Sequence, residues 1–272
     1  MLTLLHLASV VGLKADLVMS GGVISTGRNA ATATLLQNGK VLLTGGYNLN
    51  AGGPVVNAEL YDPAMNNWTP VHAMGTGRYL HTATLLPNGK VLVAGGYGIS
   101  GTLSSAELYD PGTDSWTPTP IMPSARENHT ATLLPNAKVL LVGGRLGDPV
   151  LATAALYDSA NNSWAAALPM GAARVGHTAT LLPNGKALVA GGWNGSYLNT
   201  AQLYDYTTGN WTSTPNPMTG TRYLHSAALL PNGNVLVSGG WNGNIYLNSA
   251  EIYNPTAGTW TLTTSMSFAR FA

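Results

Sequence analysis

The chain has 272 residues, a net charge of +1 and only 8% charged residues, which excludes the basic stripe that a nucleic-acid partner needs. With 45% apolar residues and no run of charge it is not a disordered chain. It has no cysteine, hence no disulfide, no thiolate nucleophile and no zinc–thiolate site. Its five lysines among many Gly, Thr, Asn and Trp lean toward an exported bacterial protein, extracellular or on the cell surface.

Taken in chain order, the first segment is "MLTLLHLASVVGLKA", Met1 to Ala15. A degraded signal peptide is one alternative for it, on the strength of an apolar run ending in small residues, but no cationic stretch precedes that run. No apolar run in the chain approaches the ~18 residues of a membrane span. Overlapping this segment, "HLASVVGLKADLVMSGGV" from His6 to Val23 carries a histidine, an apolar stretch, a lysine turn and a double glycine. It reads as a worn two-stranded hairpin. Residues 1–27 are therefore expected to form a degenerate partial repeat, or a loose N-terminal segment, of one domain spanning 1–272.

From here on the chain keeps time. Arg28, Arg78, Arg126, Arg174, Arg222 and Arg270 are separated by 50, 48, 48, 48 and 48 residues. A glycine pair begins 17 residues after each of the first five, at Gly45, Gly95, Gly143, Gly191 and Gly239. Tyr61, Tyr109, Tyr157, Tyr204 and Tyr253 follow, each with a tryptophan 7 residues later: Trp68, Trp116, Trp164, Trp211 and Trp260. Between arginine and glycines, "HTATLLPNGKVLVAGGY" from His81 recurs almost word for word from His129, His177 and His225.

Each repeat reads as four strands. Strand A is "HTATLL", and strand B is "VLVAGG" after a "PNGK" turn whose Asn-Gly suits a two-residue hairpin. Strand C is "AELYDP", turning on Asp-Pro, and strand D holds the tryptophan. Strands A and B are apolar or small throughout rather than alternating, which predicts burial on both faces. The paired glycines suit a close approach of neighbouring backbone. The tyrosines and tryptophans are expected to fill the space between sheets.

A period near 50 with paired glycines, then Tyr, then Trp resembles the kelch repeat, and the match covers residues 28 to 270. The phrasing is similar to bacterial kelch repeats related to the galactose oxidase propeller. The resemblance implies an all-β, kelch-type β-propeller of four-stranded blades. Five repeats are complete, and Arg270 would open a sixth, so a six-blade plan with one incomplete blade is expected; five blades is the alternative. The exposed edges of an incomplete blade would invite a second copy of the chain.

In such a propeller the D–A and B–C connections share one face, and the A–B and C–D turns share the other. The second face repeats: Lys40, Lys90, Lys138 and Lys186 beside the A–B turns, with Asp62, Asp110, Asp158 and Asp205 opening the C–D turns. The first face varies. It carries Tyr79, Tyr223, Tyr97, Trp193, Trp241, Asn194, Asn242, Arg145, Asp148 and Glu127, and loops on a rigid frame are where binding residues gather.

The kelch resemblance implies that an arginine just before strand A can line the mouth of the central channel and take acidic groups. It carries this role to Arg28, Arg78, Arg126, Arg174, Arg222 and Arg270, the alternative being bonds to backbone carbonyls. The histidines at 81, 129, 177 and 225 stand on different blades and cannot converge to the ~2 Å that a metal ion requires, so they read as structural and no metal is expected. Trp193-Asn194 and Trp241-Asn242, each followed by glycine, pair an indole with an amide, as sugar recognition does. Glu127 and Asp148 are the weak catalytic candidates, since paired carboxylates can do acid–base work. Galactose oxidases need a tyrosine cross-linked to a cysteine; without cysteine that copper chemistry carries over to no residue, and no cofactor is expected. Asn-x-Ser/Thr sequons at Asn67, Asn128, Asn161, Asn194 and Asn210 fall mostly inside repeat turns and strands and read as accidental outside a eukaryote.

The expected function is a non-catalytic binding module using the variable face for a glycan or an acidic protein segment, with ligand contacts from Arg78, Arg126, Arg174, Arg222, Tyr79, Tyr223, Arg145, Trp193, Asn194, Trp241 and Asn242. A carbohydrate-active propeller enzyme is one alternative. A structural or engineered repeat module is the other.

Overall fold

The structure, a computed structural model, describes residues 23–271. Among them each repeat forms one antiparallel four-stranded sheet, and five such blades follow one another. In order A to D, the first blade comprises Thr32–Leu35, Val41–Thr44, Ala58–Asp62 and Asn67–Val71. The second comprises Thr82–Leu85, Val91–Ala94, Ala106–Asp110 and Ser115–Pro118. The third comprises Thr130–Leu133, Lys138–Val142, Ala154–Asp158 and Ser163–Ala167. The fourth comprises Thr178–Leu181, Ala187–Ala190, Ala201–Asp205 and Asn210–Ser213. The fifth comprises Ser226–Leu229, Val235–Ser238, Ala250–Asn254 and Thr259–Thr263. Each strand A packs against the strand A of the next blade, so the A strands are the inner staves of a propeller. The readings of residues 1–22 as a signal peptide or as the hairpin of a sixth blade lie outside the described residues.

The unalternating apolar runs have a direct cause. In Val91–Ala94, Val91 and Val93 enter the cluster shared with the first blade, while Leu92 and Ala94 enter the one shared with the third. Successive side chains point to opposite faces of a strand, and both faces here meet another blade. The same exchange builds the clusters between the third and fourth and the fourth and fifth blades. At the two ends of the series Leu35 and Leu229 are exposed.

Tyrosine and tryptophan are cross-strand neighbours, as at Tyr109 and Trp116, whose rings lie 4.9 Å apart. The tryptophan also ties its blade to the one before: Trp116 Nε1 donates to the His72 carbonyl at 2.7 Å and Trp211 Nε1 to the Leu168 carbonyl at 2.8 Å.

The A–B turn differs from the two-residue hairpin expected from Asn-Gly. Gly89 N–H donates to the Leu86 carbonyl and Leu86 N–H to the Lys90 carbonyl, and of Pro87, Asn88 and Gly89 only the glycine has positive φ. This is a three-residue loop, a type I turn closed by one left-handed residue. Proline suits this loop, since its φ near −65° fits the first central position of a type I turn. It is not the cause: Gln37 takes that place in the first blade, where Gly39 N–H donates to the Leu36 carbonyl and Leu36 N–H to the Lys40 carbonyl in the same way. Beside these turns the lysines pair with the aspartates as Lys40–Asp62, Lys90–Asp110, Lys138–Asp158 and Lys186–Asp205, at 3.0 to 3.2 Å. The fifth blade has Asn234 and Asn254 in these two places, so both charges are replaced together.

The glycine pair is where blades touch. Gly96 N–H donates to the Arg126 carbonyl of the next blade at 2.9 Å. A Cβ on Gly95 would stand 2.5 Å from that carbonyl oxygen and 2.9 Å from His129.

Candidate functional site

The loops of the variable face are built on a repeated bridge. The residue after each arginine pairs, antiparallel, with the residue after each glycine pair: Asn29 with Tyr47, Tyr79 with Tyr97, Glu127 with Arg145, Val175 with Trp193, Tyr223 with Trp241. The bridge places ten side chains, two per blade, around one mouth. The next residue inward has positive φ in all five blades, at Ala30, Leu80, Asn128, Gly176 and Leu224. That conformation carries hydrogen bonds from blade to blade: Leu80 N–H to the Ala30 carbonyl, Asn128 to Leu80, Leu224 to Gly176.

The arginine ring is not at this mouth. Arg78, Arg126, Arg174 and Arg222 are at most 1% exposed, and each turns into its own blade. Arg78 Nη1 donates to the carbonyls of Gly95 and Ser105, and its Nη2 to Glu107 at 2.9 Å. Arg126 takes the carbonyls of Gly143 and Thr153, Arg174 those of Gly191 and Thr200, Arg222 those of Gly239 and Ser249. These four are therefore latches between the end of strand B and the start of strand C. Their recurrence reflects the carbonyls every B–C connection must satisfy. Arg28 is likewise buried and bonded to Glu59 at 2.6 Å, whereas Arg270 is exposed. The first, second and fifth blades pair the arginine with a buried glutamate, Glu59, Glu107 and Glu251; the third and fourth have Ala155 and Gln202 there. Burial without that partner pushes Arg126 and Arg174 down to about 10.

The histidines also belong to the frame. Each Nε2 meets the strand-A threonine of the preceding blade: His81 with Thr32, His129 with Thr82, His177 with Thr130, His225 with Thr178, at 2.9 to 3.0 Å. Burial drives their pKa values down, to about 3 for His81, His177 and His225, so they are neutral at ordinary pH.

Apart from Arg145, what the bridge positions of the mouth expose is chiefly aromatic. Tyr47 and Tyr79 meet edge to face at 5.2 Å, and Tyr79 meets Tyr97 at 5.5 Å. On the far side Tyr197 meets Tyr223 at 6.2 Å and accepts a bond from Trp241 Nε1 at 3.2 Å; Trp241 packs on Tyr246, which stacks on Phe271. Trp193 stands between Val175 and Tyr197. The asparagines beside the indoles serve their own turns: the Asn242 carbonyl oxygen accepts from Asn244 and Ile245, and that of Asn194 from Ser196. Glu127 is 2% exposed and accepts from Arg145 Nε at 2.9 Å and from Thr102. Asp148 lies exposed on the loop beyond Arg145, and no hydrogen bond joins the two carboxylates. Tyr47, Tyr197 and Gly176 were not singled out in the sequence; the position after the glycine pair was the signal for the first.

The sequence matches the KLHDC2/KLHL20/DRC7 Kelch-repeats domain over residues 30–220 and again over 129–269. No curated protein sequence matches the chain significantly. Among solved structures it is similar to a fungal alcohol oxidase of the AA5 family, in complex with copper, with a TM-score of 0.72 and 21% identity. That likeness covers 90% of this chain and 55% of the oxidase, so this chain spans about half of that protein. It is similar to YjhT with a TM-score of 0.73 and 17% identity, over 89% of this chain and 86% of that one. Both likenesses concern the fold. The chain has no cysteine, and the described residues include no group of three or more His, Asp or Glu placed to hold a metal ion.

Proposed function

Because the chain belongs to the kelch-repeat propellers, commonly protein-interaction modules, we propose that it is a non-catalytic binding module whose ligand is a glycan held on the D–A/B–C face. One observation carries the reading. The paired positions of the mouth hold half-buried Tyr47, Tyr79, Tyr97, Trp193, Tyr223 and Trp241, whereas the opposite face is a row of lysines and aspartates already bonded to one another. Aromatic rings fixed by a rigid frame offer large contact area at low entropy cost, and the apolar faces of sugar rings are their natural complement. An enzyme reading gains no such support, because the Glu127 carboxylate is buried and engaged by Arg145 and Thr102. The extracellular or cell-surface placement is part of the same proposal.

The test is a glycan array followed by thermal shift. A glycan at 100 times its dissociation constant adds about 2.7 kcal/mol, which raises the midpoint of a domain this size by several degrees, ~5. Tyr79→Ala and Trp241→Ala should each abolish the shift and leave the unliganded melt within a few degrees. An acidic protein segment that binds while every glycan fails would move the function to protein recognition.

A further inference from the structure

One charged group on the aromatic face has no role in that reading, and the inference drawn from it rests on the face being a carbohydrate platform. Arg145 is the sole cation among the bridge positions, and its side chain is 46% exposed. Only its Nε is engaged, donating to Glu127 Oε1 at 2.9 Å. Glu127 is itself buried and held by Thr102, so the guanidinium plane is anchored from behind. Its two terminal nitrogens make no hydrogen bond or ion pair among the described residues. A buried arginine such as Arg126 uses those same two nitrogens for its own blade. Arg145 turns them outward.

What surrounds this free fork comes from other blades. Tyr79 of the second blade and Tyr223 of the fifth both lie close enough to Arg145 to feel its charge, which opposes the rise that burial gives each phenol's pKa. Tyr223 lies over Gly176 of the fourth blade because that residue has no side chain; a Cβ there would clash with the edge of the Tyr223 ring. Phenols of the second and fifth blades thus lie within electrostatic reach of the guanidinium of the third.

We propose that Arg145 is the specificity subsite of the face and takes the carboxylate of an acidic sugar of the uronic-acid class, with Tyr79 and Tyr223 packing on the sugar rings beside it. A guanidinium fork matches a carboxylate bidentately. Because Glu127 already neutralises Arg145, the attraction depends on that short-range geometry and little on long-range steering. The ligand is therefore a particular acidic saccharide rather than any polyanion.

The experiment is calorimetric titration with an oligogalacturonate and with its methyl ester, which removes the charge and keeps the rings. Wild type should bind the acid at least about tenfold more tightly than the ester, the worth of one charge-assisted contact. Arg145→Lys should lose that preference and melt normally. Glu127→Gln, which keeps an acceptor for Arg145 Nε and removes the charge that neutralises it, should bind the acid at least as tightly as wild type and make that binding more salt-dependent. Equal binding of acid and ester by wild type would overturn the inference and leave the carbohydrate module standing. Binding of neither form, with poly-glutamate bound in their place, would overturn both.

Discussion

The ring of Tyr223 lies against the backbone of Gly176, one blade away, in the space a side chain would fill. Gly176 has φ +62°, yet alanine, leucine and asparagine take the same conformation at the equivalent positions 30, 80, 128 and 224. Glycine is thus required here for room, not for its backbone freedom. Gly176→Ala should push Tyr223 away from Arg145. Acidic-sugar affinity should fall about tenfold, and stability by about 1–2 kcal/mol from the overpacking. Tyr223→Leu in that background should recover the stability and not the affinity. Melts and titrations of the two variants check this; a Gly176→Ala protein that binds as wild type would remove Tyr223 from the site.

The fourth blade offers a gain of stability. Gln202 stands where Glu107 and Glu251 bond Arg78 and Arg222, and its Oε1 already accepts from Gly171 N–H at 3.1 Å, as Glu107 Oε2 accepts from Gly75 at 2.7 Å. Gln202→Glu would keep that donor and give the buried Arg174 its missing counter-charge. It should stabilise the protein by about 1–2 kcal/mol, and Glu107→Gln should cost at least as much, because it strands a buried cation. Urea melts of the pair decide the matter: a destabilised Gln202→Glu protein would show that backbone carbonyls alone suffice for Arg174.

The four inner histidines set an acid limit. Their folded pKa values lie below the unfolded 6.5, at about 3 for His81, His177 and His225, because burial disfavours the charged ring. Between those values the unfolded chain binds more protons than the folded one. Stability is therefore full above pH ~6.5 and falls as the pH drops, by up to about 1.4 kcal/mol per pH unit for each histidine. Denaturant melts at pH 7, 6 and 5 should show this slope, and His225→Asn should reduce it by one proton. A slope unchanged in that variant would mean that His225 is protonated in the folded state.

How much of this was legible in the chain follows from what a repeat encodes. Spacing gave the blades, and the unalternating "VLVA" gave burial on both faces, because periodicity reads packing directly. Spacing says nothing of where a long side chain points, so Arg78 and its equivalents read as a mouth lining when they turn inward onto Gly95 and Ser105. Arg145 breaks the repeat, and its role became visible only when the bridge to Glu127 showed which of its nitrogens are taken. The Tyr223–Gly176 contact joins positions 47 residues apart on different blades, and no local pattern signals it. The Asn-Gly turn was misread because the loop takes in the residue before the dipeptide as well, Pro87 in the second blade and Gln37 in the first, and so has three residues rather than two.

The face opposite the aromatic mouth should prove energetically quiet. Lys186 and Asp205 lie 3.2 Å apart with both side chains partly in solvent, and Asn234 and Asn254 replace such a pair in the fifth blade. Exposed pairs of this kind contribute about 0–1 kcal/mol. Installing the pair with Asn234→Lys and Asn254→Asp should change stability by less than about 1 kcal/mol, and a double-mutant cycle should return a coupling of only about 0.5 kcal/mol that salt screens. Ligand binding should not change at all, since the turns lie at the other end of the strands from Arg145. A change in glycan affinity in this double variant would mean that the lower face takes part in recognition, and the assignment of the two faces would have to be reversed.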